Sequence, residues 1–330
     1  MRKLVKRQWF TVAMVLALAL AWGFSEIEAI QGLVIPSIVV SIGIGIIFFL
    51  QGCGFSKTES PRLKESIKLL LFVLVWNFIL SPLLMLTLLW VLDLNDSSAF
   101  ILGYLLLSIL PTTIASAIAL TVASGGRGTN AIIASVFSNL LAVWIVPIFA
   151  VVYFALEQQI QVPLLSLFKR LAFMILIPFM VGLIWQRIQG ASENNALNEG
   201  AVRLLTQLIL LGIIFVGFVE SFRLGAFQAL SSSAFAELLA VCSGLLLLIS
   251  FLVWVSAGWF KFLPSDKVAA FYCASQKSLA TGLPLIGSIL FAAGMEGQMA
   301  VIMLPILCYH PMQIFLGGIL SQSLAKSCVG

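Results

Sequence analysis

Thirteen consecutive residues, Tyr272-Cys-Ala-Ser-Gln-Lys-Ser-Leu-Ala-Thr-Gly-Leu-Pro284, set a lysine, an amide and three small-residue hydroxyls inside an otherwise apolar run. A lysine in hydrocarbon costs roughly 3 kcal/mol on insertion scales, so its presence there needs a cause. The apolar run begins after Lys267, which puts Lys277 ten residues inside it. That is about 15 Å along a helix, half the hydrocarbon thickness, and too deep for the ammonium to snorkel to the interface. The expectation is a helix interrupted near the midplane, with its polar contents turned to protein or water rather than lipid. Ser275, Gln276, Lys277, Ser278 and Thr281 are therefore candidates for binding a solute or an ion. Burial disfavours the ammonium form, so Lys277 is also a candidate carrier of a coupling proton.

A second polar interruption lies at Pro111-Thr112-Thr113, with Ser116 beside it. Proline lacks an N–H and clashes with the preceding turn, which leaves carbonyls free next to hydroxyl groups. Taken alone, these residues read equally well as a proline kink whose hydroxyls satisfy their own backbone. A shift of 164 residues lays Pro111–Ala117 on Ser275–Thr281 and Pro147 on Pro311. Paired interruptions at corresponding places in two halves point to a transporter's binding site. Ser135, Ser138 and Asn139 share one helical face at spacings of three and four, and either bridge helices or add oxygen ligands. Of these, Ser138 and Asn139 join the candidate site, because an amide oxygen also ligates cations. Asn77 and the single histidine, His310, read as packing groups. The five cysteines show no metal-ligand spacing and read as small apolar fillers.

These residues must be positioned by a membrane scaffold. Hydrophobic residues make up 61% of the 330 and charged residues 9%, with a mean hydropathy of +1.13, far from a soluble composition. Apolar runs fall at about 9–22, 31–51, 68–92, 99–123, 130–154, 168–186, 203–219, 236–260, 268–292 and 298–320, each near the length a span needs. The first run has the charge pattern of a secretory signal but reads as a retained helix. The spacing of Lys6-Arg7 from Trp22 recurs between Lys169-Arg170 and Trp185. With the N-terminus cytoplasmic, fourteen of the eighteen basic residues fall inside and three (Lys169, Arg170, Arg223) outside, with Lys277 within a span. This asymmetry predicts cytoplasmic N- and C-termini. The net charge of +5 belongs to loops. No basic cluster is interleaved with aromatics, so nucleic acid is not an expected partner. No GxxxxGK[ST], HExxH or intramembrane carboxylate pair is present, which argues against an enzyme.

At Pro111-Thr-Thr-Ile-Ala-Ser-Ala-Ile-Ala-Leu-Thr121 with Gly125-Gly126 and Asn130, and at Ser275-Gln-Lys-Ser-Leu-Ala-Thr-Gly-Leu-Pro284, the chain resembles the bile acid:sodium symporter family, in particular its symporter-like branch. The resemblance implies an all-α membrane protein of about ten transmembrane helices in two inverted five-helix repeats, residues 1–157 and 158–330. The fourth and ninth helices would be discontinuous and cross. Helices 3–5 and 8–10 would form a core, and helices 1, 2, 6 and 7 a panel that moves against it. It also implies cation ligands in the fourth, fifth and ninth spans, with Ser116, Asn139 and Gln276 as Na⁺ contacts. Here the family's asparagine after the serine is Ala117, its glutamate is Tyr272, and Lys277 stands at an asparagine position.

These readings together predict a secondary transporter of the plasma or bacterial inner membrane. It would carry a small, anionic organic solute by alternating access, coupled to Na⁺ or, through Lys277, to H⁺, with no other cofactor. Pro111, Thr112, Thr113, Ser116, Ser138, Asn139, Ser275, Gln276, Lys277, Ser278 and Thr281 would line the site. The alternative is a membrane regulator or scaffold that retains the fold without transport.

Overall fold

In a computed structural model, the described residues are 9–25, 37–53, 63–93, 98–157, 164–189, 199–223 and 231–329. Among them the regular structure is helical throughout, with no strand. The helices are α1 (Trp9–Ser25), α2 (Ser37–Cys53), α3 (63–91), α4 (Ser98–Ile109), α5 (Ala115–Ala123), α6 (Gly128–Glu157), α7 (164–189), α8 (Glu199–Arg223), α9 (Ser232–Trp259), α10 (Pro264–Ser275), α11 (Leu279–Ala293) and α12 (Met299–Val329). Five described helices, α3, α6, α7, α9 and α12, are long and apolar enough to cross a membrane. The run expected at 99–123 divides into α4 and α5, and that at 268–292 divides into α10 and α11. The start of the run expected at 31–51 lies outside the described residues.

Two helices contain a turn that the apolar periodicity does not reveal. In α3 the residues Trp76–Leu80 form a π-turn, in which the Ser81 N–H donates to the Trp76 carbonyl five residues back. In α7 Ala172–Leu176 do the same, with Ile177 donating to Ala172. Each lies just before a proline, Pro82 and Pro178. The ring of a proline clashes with the carbonyl four residues earlier, and one wide turn relieves that clash without ending the helix.

The chain forms two compact units, each gathered from separate stretches. The first holds residues 1–57, 147–230 and 283–301. In it α2 packs on α7 at two glycines. A Cβ at Gly52 would overlap the Phe179 carbonyl oxygen, and one at Gly182 would overlap the Phe49 carbonyl oxygen. Backbones meet there directly, the close approach that small residues allow where lipid provides no hydrophobic drive. Phe24 of α1 meets Phe215 of α8 edge-on at 5.5 Å.

The second unit holds residues 58–146, 231–282 and 302–330, and it contains every predicted site residue. Its α10 is buried along 268–275, which is why the helix reads as apolar all round rather than amphipathic. One end of the unit carries a charged cluster. Arg127 meets Asp266 at 3.5 Å, Asn130 donates to Asp266 (2.8 Å) and Ser66 donates to Asn130 (2.7 Å). Lys267 lies 3.9 Å over the ring of Trp254.

Candidate functional site

The site grows from the two places where a helix stops and restarts. Between α4 and α5 the chain runs non-helically through Leu110–Ile114, and several of the freed backbone groups find specific partners. Pro111 has no N–H to give, and its carbonyl accepts from the Ser278 N–H at 2.7 Å. The Thr112 N–H donates to Ser138 Oγ (3.3 Å), and the Thr112 carbonyl accepts from Asn139 Nδ2 (2.8 Å). The Thr113 carbonyl accepts from Ser135 Oγ (3.3 Å). Thr113 Oγ1 in turn accepts the Ala117 N–H (3.0 Å), one of the orphan donors at the start of α5. The polar face predicted on the fifth span therefore holds the extended segment in place of helical hydrogen bonds.

Between α10 and α11 the interruption covers residues 276–278. The Gln276 N–H still reaches the Tyr272 carbonyl (3.2 Å). Gln313 clamps the next residue, accepting the Lys277 N–H (2.7 Å) and donating to the Lys277 carbonyl (2.8 Å). Tyr309 donates to the Ser275 carbonyl (3.0 Å). Ser278 Oγ accepts the Thr281 N–H (3.2 Å), so Ser278 caps α11. The Ser278–Pro111 hydrogen bond joins the two interruptions backbone to backbone.

Around that joint the predicted side chains fall into two groups. In one, Thr113 Oγ1 and Ser116 Oγ both donate to Gln276 Oε1, at 3.3 and 3.0 Å, and the two hydroxyls also touch each other. In the other, Asn139 donates to the Thr112 and Ser135 carbonyls (2.8 Å each) and accepts from Thr281 Oγ1 (2.5 Å). Ser138 belongs with this second group and also accepts from Asn77 Nδ2 (3.2 Å). Ser275 donates to its own helix at Phe271 (2.7 Å). Two buried polar atoms beside the joint, Gln276 Nε2 and Thr112 Oγ1, have no hydrogen-bond partner among the described residues.

Lys277 is fully buried. Its ammonium donates toward the carbonyls of Ser108 (2.7 Å), Leu110 (3.2 Å) and Asn77 (3.4 Å) and the Asn77 amide oxygen (3.5 Å). It thus stands at the C-terminal end of α4, where a positive charge complements the helix dipole. Tyr272 donates to the Gly317 carbonyl (3.0 Å) and contacts Ser124 Oγ (3.1 Å).

Three participants were not among the predicted site residues. Asn77 read as a packing group, yet it touches Lys277, Ser138 and the Cys273 carbonyl. Gln313 and Tyr309 were missed, although an amide inside an apolar span is itself a signal. His310 Nδ1 lies 2.9 Å from Gln313 Nε2, one residue removed from the site. No cluster of His, Cys, Asp and Glu able to hold a metal occurs among the described residues. A cavity of about 510 Å³ in the first unit, lined by Lys169, Arg170, Phe173 and Glu296 among others, contains none of the predicted residues.

Apolar helices of spanning length, two interrupted helices and a buried polar joint define a multi-pass integral membrane protein of the transporter class. The sequence profile of the SBF-like CPA transporter family matches residues 8–326, and the chain belongs to that family. Sodium/bile acid cotransporter 7 of Xenopus tropicalis is 30% identical over 328 residues, covering 97% of this chain and 92% of the relative. The protein of the same name in Rattus norvegicus is 30% identical over 325 residues, 97% and 93% of the two chains. An uncharacterized protein of Pseudomonas aeruginosa is 30% identical over 288 residues, 87% and 84%. The family is one of transporters, not of enzymes.

Proposed function

We propose that the protein is a secondary active transporter that moves a small organic anion by alternating access around the joined interruptions. The observation that carries this reading is the Ser278 N–H to Pro111 carbonyl hydrogen bond, which brings two helix interruptions to one point amid hydroxyl and amide groups. Paired interrupted helices of this kind belong to inverted-repeat transporters, here residues 1–157 and 158–330 in two opposed five-helix repeats. The buried charge of Lys277 and the N-terminal ends of α5 and α11 favour an anionic solute. Gln276 Nε2 and Thr112 Oγ1, buried without partners, are donors that such a solute would satisfy. The vertebrate relatives are named sodium/bile acid cotransporters, and an organic acid moved with sodium fits the same reading. On this reading α3, α4, α5, α9 and α10, which lie in the second unit with most of α6 and α12, belong to the transporter core, and α1, α2, α7 and α8 to the panel; α11, the second half of the ninth span, falls mostly in the first unit. Both termini are cytoplasmic on the charge asymmetry.

The driving ion is Na⁺, held by the oxygens of Thr113, Ser116 and Gln276, or H⁺, carried by Lys277. The Na⁺ set is neutral, because Tyr272 replaces the family's glutamate, and Asn139 directs its amide to Thr112, Ser135 and Thr281 instead. Separately imposed sodium and pH gradients in proteoliposomes, with a panel of labelled carboxylates, sulfonates and phosphate esters, distinguish the two. Alternating access itself is tested without a substrate by Ser116→Cys in a cysteine-free background. The reading expects membrane-impermeant thiol reagents to reach the cysteine from either side. Labelling from one side only, with no flux for any solute, would return the protein to the scaffold reading.

A further inference from the structure

The surroundings of Lys277 differ in kind from those of the other polar groups at the joint. Four oxygens face one ammonium, which has only three protons to give. Three of the four are backbone carbonyls, and each has lost its helical partner for its own reason. In a continuous helix the Ser108 carbonyl would accept the Thr112 N–H, which instead goes to Ser138. The Leu110 carbonyl would accept from Ile114, but α4 has ended at Ile109. The Asn77 carbonyl would accept from Ser81, whose N–H the π-turn sends to Trp76, and the next residue is Pro82, which has no N–H. The fourth oxygen, Asn77 Oδ1, is oriented by its own amide nitrogen, which donates to Ser138 and the Cys273 carbonyl. No acidic side chain pairs with Lys277 among the described residues. Carbonyl dipoles converging on a buried point charge are how proteins replace the hydration shell of a monovalent cation.

We infer that the Asn77, Ser108 and Leu110 oxygens form a monovalent-cation site whose ion is supplied by the chain itself, Lys277 serving as a tethered cation. The π-turn in α3 and the end of α4 build the cage, and Gln313 fixes the lysine backbone so that the side chain reaches it. In this arrangement the ammonium is held by the cage, so a proton-carrying role for Lys277 would require the side chain to leave it. The inference rests on the geometry of the cage and stands whether or not the protein moves a solute.

Truncation to Lys277→Ala removes three methylenes and the ammonium, which together correspond to a propylammonium ion. The variant should lose on the order of 10 °C in thermal stability, because four buried oxygens lose their cation. Added propylammonium should restore at least half of that loss. Methylammonium, Na⁺ and K⁺ should restore less, and tetramethylammonium, which has no N–H and is too large, nothing. Lys277→Met, of similar volume but uncharged, should be destabilised and insensitive to every cation. Failure of all monovalent cations to stabilise Lys277→Ala, or a Lys277→Met protein as stable as the wild type, overturns the inference. If Lys277→Ala gives no monodisperse peak on extraction, the same membranes extracted in propylammonium decide: a restored peak supports the tethered cation, and continued absence overturns it. Flux of the wild-type protein measured in parallel separates this outcome from that of the transport reading, since rescue of the variant's stability beside a wild type without flux supports the cage and counts against transport alone.

Discussion

Replacing Asn139 by leucine tests whether the fifth-span face holds the interruption after α4. Asn139 is buried and engages three groups, the Thr112 carbonyl, the Ser135 carbonyl and the Thr281 hydroxyl. The Ser135 carbonyl keeps its helical donor in the variant, and the Thr281 hydroxyl can turn toward its own helix. The Thr112 carbonyl has neither option, because it lies in a non-helical stretch. An orphaned buried acceptor costs about 1–3 kcal/mol. Interhelical hydrogen bonds in membranes average about 0.6 kcal/mol because severed partners usually find others. That escape is closed at Thr112, so the upper range governs, about 2–3 kcal/mol. At about 2–4 °C per kcal/mol for chains of a few hundred residues, Asn139→Leu should lower Tm by roughly 4–12 °C. Asn139→Asp should be at least as damaging, since it aims an oxygen at two carbonyls. The assay is thermal unfolding of detergent-purified protein, followed by tryptophan fluorescence. A leucine variant that melts with the wild type would refute the claim that Asn139 holds the extended segment.

Pro111→Ala supplies an N–H and lets α4 extend, so flux in proteoliposomes should fall while Tm changes little; unchanged flux would make Pro111 an ordinary kink. Gly52→Ala places a Cβ against the Phe179 carbonyl and should cost about 1–3 kcal/mol in thermal unfolding, whereas Gly212→Ala, where a Cβ meets nothing, should be neutral. Gln313→Leu removes both hydrogen bonds to the Lys277 backbone. Hydrogen exchange at Lys277 and Ser278 should then accelerate well above the wild-type rate. A reporter fused after Lys326 should read as cytoplasmic and one near Asp96 as external, and the opposite result at either point would remove the proposed orientation.

The positions of the two interruptions were legible because their signals are chemically loud. A proline followed by two threonines, and a lysine ten residues into an apolar run, each violate the pattern of an ordinary span. Length and hydropathy likewise placed the long helices, since backbone polar groups in lipid must be satisfied within the segment. The partners of the interruptions were harder to read. Asn77 resembles any single amide in a span, and its role depends on a π-turn that only the clash at Pro82 produces. Gln313 lies 36 residues from Lys277, and no local periodicity links the two.

The division of labour among the predicted residues was also beyond the sequence, for a physical reason. Residue types define what a group can donate or accept, but the choice among partners is made by carbonyls that become free only where a helix stops. Asn139 could have ligated a cation. It is drawn instead to the Thr112 carbonyl, whose usual donor would be the N–H of Ser116, at the start of α5. Lys277 could have faced a solute directly. It is drawn instead to Ser108, Leu110 and Asn77, where three carbonyls without helical donors converge. In both cases a conspicuous side chain satisfies backbone that the interruption exposes. The less conspicuous Thr112 hydroxyl and Gln276 amide nitrogen are the buried polar groups at the joint left without a partner among the described residues.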